Sequence, residues 1–251
     1  MLSLLAAYII GSFLPQVLRP YALGILGTLF ALLITYAALK LDRKKFKDIG
    51  LKWQRKTLPM FCGGFFAGAI IFGLIIAAIL LFTPLKLAAE PSPSLLSALL
   101  LSSIALIPQA WMEEIAFRSY PLIRLQKAYG IRMTIYVGAL AFALYHFISG
   151  GNFLGMLLGP GIWGIVYGFL AIWTKGIAFP TGFHFALNLS QATMGMKEPY
   201  TPVWKLIDGG AEDSYFHLEM DQVGLAAQLA VLCISVFLIE LYIRKSKNSE
   251  R

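Results

Sequence analysis

The chain has 251 residues, of which 58% are hydrophobic and 14% charged, with a mean hydropathy of +0.72. Soluble domains are nearer half apolar and a quarter charged, so this composition excludes an ordinary soluble fold and indicates one integral membrane domain over 1–251. The net charge of +8 has no nucleic-acid-binding motif beside it and clusters next to apolar runs, so the expected surface partner is anionic lipid, with no nucleic acid.

About 20 mostly apolar residues span a bilayer as a helix. Eight candidates follow in order: 2–18, 21–39, 58–82, 95–117, 133–149, 153–173, 177–195 and 224–243. None alternates as a membrane β-strand does. The expected fold class is therefore all-α and polytopic, with about eight transmembrane helices around a polar intramembrane cavity. Pro15 ends the first candidate early, but no basic leader or A-x-A cleavage site marks it as a signal peptide. Cys62 and Cys233 lie in apolar runs and suggest packing, not disulfides or metal binding. The spacings Gly64-x-x-x-Gly68, Gly155-x-x-x-Gly159 and Gly164-x-x-x-Gly168 mark close helix contacts within the chain. They leave the oligomeric state open.

Charge sets the orientation. With eight spans, the 40–57 and 118–132 connections, Lys175 and the C-terminal tail share one side and hold 17 of the 21 Lys and Arg. Arg19, Lys86, Lys197 and Lys205 hold the other side. The basic side is expected to be cytoplasmic, with both termini there, in the plasma membrane. The long 196–223 segment on the opposite side reads as a solvated loop of mixed charge.

Few strongly polar groups interrupt the spans: Glu113 and Glu114 in the fourth, His146 in the fifth, His184 and Asn188 in the seventh. A carboxylate at mid-bilayer costs roughly 2.5–3.5 kcal/mol before any partner offsets it, so such groups pair, line water or do chemistry. Glu114 and Arg118 are spaced i, i+4 and share a helix face; Glu113 is turned about 100° away. Phe142 and His146 repeat that spacing, as do His184 and Asn188. Straight helices put Glu113 near the basic end of its span and His146 near the far end of its own, an apparent offset approaching ~20 Å. Pro108 and Pro180 either break their helices beside these groups, or, for Pro180, sit in a first turn.

"EEIAFR" at 113–118, "FALYH" at 142–146 and "HFALN" at 184–188 fit EExxxR, FxxxH and HxxxN in order on three apolar segments. With "KDIGLKW" at 47–53, they resemble the CAAX-protease and bacteriocin-processing family of intramembrane endopeptidases over about 40–195, the expected protease core. The resemblance implies a peptide or protein substrate, lipidated in some relatives. It implies that Glu113 activates water, that His146 helps hold it, and that His184 and Asn188 stabilise the oxyanion. Glu114, Arg118 and Phe142 support the site. The favoured mechanism uses no cofactor. Zinc on Glu113, His146 and His184 is the alternative, weakened by the lack of HExxH. A proton-relay transporter and a catalytically silent immunity or scaffold protein are the other rivals; no internal repeat supports the transporter.

Overall fold

The computed structural model describes residues 9, 13–90, 94–148, 150, 152–210 and 218–249. The expected first span falls almost wholly outside them.

Helix α1 (Arg19–Leu41) begins with Pro20 in its first turn, where a missing N–H costs nothing. α2 is Thr57–Phe82. α3 (Leu95–Arg118) starts at Ser94, whose side chain accepts from the Ser97 N–H at 3.4 Å. α4 is Tyr120–Ile148, bent at Gly130. Phe153–Met156 and a π-helical stretch, Leu157–Gly161, lead into α5 (Ile162–Thr174). α6 is Ala178–Thr193 and α7 is Met220–Ser249.

Five helical segments are long and apolar enough to cross a membrane. The difference from the expected eight has local causes. The fourth and fifth candidates are joined as one helical segment from Leu95 to Ile148. α6 has only 16 residues, about 24 Å at 1.5 Å per residue, against a hydrocarbon core of about 30 Å. Only 17–33% of the residues in four of the five segments' apolar windows, and in the joined one, are buried within the protein. Outward residues such as Leu33, Phe66, Ile70 and Leu74 are more than half exposed. An apolar surface that extensive belongs in lipid.

The two prolines behave differently from a pair of helix breaks. Pro180 occupies the first turn of α6. α3 continues through Pro108, whose carbonyl accepts from Thr28 Oγ1 at 3.0 Å.

α3 is the central element. α1 lies parallel to it, with Gly24 against Pro108 and Ala31 in one cluster with Met112 and Ile115. α6 lies antiparallel: Ile177 joins that same cluster, while Phe185 and Ala192 pack with Leu106 and Ala110. α2 crosses α6 so closely that a methyl added at Gly64 would overlap the Phe179 carbonyl, and one at Gly182 would overlap the Phe61 carbonyl. Of the other glycine pairs, Gly164 and Gly168 pack on Ala139 and Ile135 of α4; the Cβ position of Gly159 meets nothing.

Asp42, ending α1, accepts from Tyr120 Oη at 3.0 Å and pairs with Arg124 at 3.2 Å. Gly50 packs against Gly176. The 40–57 segment, the start of α4 and the Lys175 turn therefore gather at one end, as the charge count groups them. At the other end, β1 (Leu85–Ala89) pairs antiparallel with β2 (Trp204–Asp208), Leu85 opposite Asp208. A strand thus replaces part of the expected solvated loop, and among the described residues the fold is all-α apart from this ribbon.

The 118–132 segment is not a loop. Tyr120 to Tyr129 is helical, and Gly130, at φ +77°, turns the chain where an L side chain would be strained. Twelve residues separate Arg118 from Gly130 and twelve more separate Gly130 from Phe142. Two arms of equal length return Phe142 to Arg118, whose guanidinium lies 4.2 Å from its ring centre. This brings Phe142, with His146 one turn on, beside the Arg118 end of α3.

Candidate functional site

Glu114 is fully buried on α3, with Arg118 one turn on. Arg118 Nη1 donates to Glu114 Oε1 at 3.4 Å and Nη2 donates to the Gly164 carbonyl at 3.4 Å. The guanidinium also lies over the rings of Phe142, Tyr167 and Phe117, at 4.2, 5.2 and 5.5 Å. A desolvated cation over aromatic faces gains about 2 kcal/mol per good contact, so Arg118 is fixed by a carboxylate, a carbonyl and aromatic faces together.

His184 comes to the same carboxylate from α6. Its Nδ1 lies 3.0 Å from Glu114 Oε1, and its Nε2 lies 3.5 Å from Glu113 Oε2. A carboxylate only accepts, so Nδ1 carries the proton in this pairing. Tyr167 stacks on the imidazole at 4.4 Å and 16°, and Phe142 meets it edge-on at 6.0 Å. Pinned on two faces and at one nitrogen, the ring aims Nε2 at Glu113. That contact is electrostatic and not a hydrogen bond: Glu113 Oε2 is buried and takes no protein donor among the described residues, and the same holds for Glu114 Oε2.

In its neutral form His184 spends its one N–H on Glu114, so Nε2 offers a lone pair. It becomes a donor there only after gaining a second proton.

His146 sits edge-on to Phe142, ring centres 4.5 Å apart, and 5.0 Å from Tyr145. Its Nδ1 donates to the Phe142 carbonyl at 2.9 Å, leaving Nε2 as an acceptor. One phenyl ring therefore separates the two histidines. Among the described residues no hydrogen bond or ion pair joins His146 to a carboxylate.

Asn188, one turn after His184, makes a contact the sequence did not announce. Lys197 Nζ donates to its Oδ1 at 2.9 Å. Lys197 had been counted with the loop cations of the far side, but its side chain turns inward. Burial pulls its ammonium below the usual lysine range, and the charge of Glu113 opposes that pull. Tyr167 is the other residue missed. Its signal was present, a phenol inside an apolar span between Gly164 and Gly168.

Among the described residues no three His, Cys, Asp or Glu side chains are placed to hold an ion, and Glu113, His146 and His184 are no exception.

Arg118, Glu114 and His184 thus form a buried polar chain that ends beside Glu113, with the Asn188 amide one turn after His184. Residues 94–190 match the family model described as Type II CAAX prenyl endopeptidase Rce1-like, the family that the three motifs resemble. The matched segment contains EExxxR, FxxxH and nearly all of the described site, with Lys197 just beyond it. No curated protein and no solved structure matches the chain.

Proposed function

We propose that the chain is an intramembrane endopeptidase that hydrolyses peptide bonds of a membrane-associated, CAAX-type or peptide-precursor substrate by glutamate-activated water. The single observation that carries this reading is Glu113 Oε2, a buried carboxylate oxygen without a donor among the described residues, facing an imidazole held by Glu114. Glu114 Oε2 is open as well, but that carboxylate is held at Oε1 by Arg118 and His184; the Glu113 oxygen, open beside an imidazole, suits a water to be deprotonated.

Glu113 takes a proton from water, and the oxygen adds to the scissile carbonyl. His146 Nε2, left as an acceptor by the bond at Nδ1, holds the water's second hydrogen. The proton on Glu113 lies within reach of His184 Nε2, so His184 becomes a donor as the oxyanion forms. Glu114 stabilises the imidazolium, and Arg118 holds Glu114 in place. The Asn188 amide supplies a second donor to the oxyanion, and the proton returns to the leaving amine. No metal is needed for these steps. The eight-span topology with a cytoplasmic basic side, plasma-membrane location and a lipidated substrate belong to the same proposal.

Glu113→Gln tests it. A general base contributes about 10²–10⁴-fold, so this isostere is expected to fold normally and lose at least about a hundredfold in turnover.

A further inference from the structure

We infer that Lys197 is a positioning residue for the oxyanion site: its ammonium holds the carbonyl end of Asn188 and thereby presents the amide Nδ2–H₂ group to the reacting carbonyl. The inference rests on the proposed peptidase reading.

The orientation follows from donor counting. An ammonium has donors and no acceptor, so whichever atom of the Asn188 amide faces Lys197 must be the oxygen. The bond is 2.9 Å long and charge-assisted, hence stronger than a neutral one. With Oδ1 anchored, Nδ2 and its two hydrogens point away from Lys197. Asn188 lies one helical turn after His184, on the same face of α6, and His184 faces Glu113. The pull of the ammonium on Oδ1 also makes the amide hydrogens better donors. Without it, a half-buried Asn side chain is free to rotate its oxygen toward the oxyanion, where it would repel.

The reach of the side chain explains the chain's path. α6 ends at Thr193, and Gly195, at φ +70°, turns the backbone so that the Met196 N–H bonds the Gln191 carbonyl. The following residue, Lys197, is directed back along the helix it has just left. Its side chain reaches back past the end of α6 to Asn188, nine residues earlier. A lysine serving only as a solvated loop charge would not spend its long side chain in this way.

The test is steady-state cleavage of a farnesylated, internally quenched peptide ending in Cys-Val-Ile-Met by the full chain in liposomes. Lys197→Met is expected to lower kcat by about tenfold or more, bounded by the ~10²–10³-fold effect of losing the donor itself, with KM within about twofold. Lys197→Arg, which keeps a charged donor, recovers most of the loss. In an Asn188→Ala background, Lys197→Met has no further effect, because the lysine acts through that amide. Should Lys197→Met fail to fold, Lys197→Gln, neutral and shorter, is read in the same cycle and is expected to show the same dependence on Asn188. An unchanged kcat, or an equal loss with and without Asn188, overturns the inference and leaves the peptidase reading intact. A Glu113→Gln control that keeps its activity, or a wild type that does not cleave, overturns the reading and the inference with it.

Discussion

Arg118, Glu114 and His184 show how one carboxylate serves two partners. Glu114 Oε1 receives both the guanidinium and the imidazole, and all three residues are buried. Glu114→Gln leaves Arg118 in a dry site without its counter-charge, a change that costs about 3–5 kcal/mol when a buried pair is broken. The expected outcome is a lower melting temperature in detergent and less folded protein. The sequence disclosed the division between the two glutamates, since helical spacing separates their faces. It did not disclose His184 as the second partner of Glu114, because that contact spans 70 residues. Asn188→Ala leaves packing nearly intact and removes a donor, so folded yield stays level while turnover falls by about 10²–10³-fold.

Elements explain what spacing alone missed. Basic residues at 118–132 resembled a loop because charge and apolarity, the signals that mark span boundaries, do not distinguish a solvated loop from a solvated helix. The equal arms about Gly130 account for the return of Phe142 to Arg118. The ribbon at Leu85–Ala89 and Trp204–Asp208 was illegible for another reason: each strand is five residues long, and its partner lies more than a hundred residues away. The α2–α6 crossing was legible in part, since Gly64 and Gly68 have small-xxx-small spacing and Gly182, their counterpart on α6, is flanked at the same spacing by Ala178 and Ala186. Gly182→Ala forces a methyl into the Phe61 carbonyl and is expected to cost about 1–3 kcal/mol or more. Gly73→Ala, on α2 with nothing near its Cβ position, is expected to leave the melting temperature level or raise it, as helix propensity favours alanine. Melting both variants in one detergent checks the pair.

For the whole molecule, the charge asymmetry and the architecture agree on which segments share an end. Asp42, Tyr120 and Arg124 tie two basic segments together, and Gly50 against Gly176 adds the third. The inward turn of Lys197 removes one cation from the opposite face and sharpens the asymmetry. In a chain cleared of native cysteines, Lys45→Cys is expected to react with an impermeant thiol reagent from the cytoplasmic side, and Asp208→Cys from the other. Reaction of both from one side would contradict the topology.

The reading as a whole stands on Glu113 as the base. Its most direct measurement is the ratio of kcat for wild type and Glu113→Gln on the farnesylated peptide, in liposomes, with equal folded protein confirmed by melting. The account predicts a fall of at least about a hundredfold at unchanged melting temperature. A Glu113→Gln protein that keeps most of its turnover would contradict it.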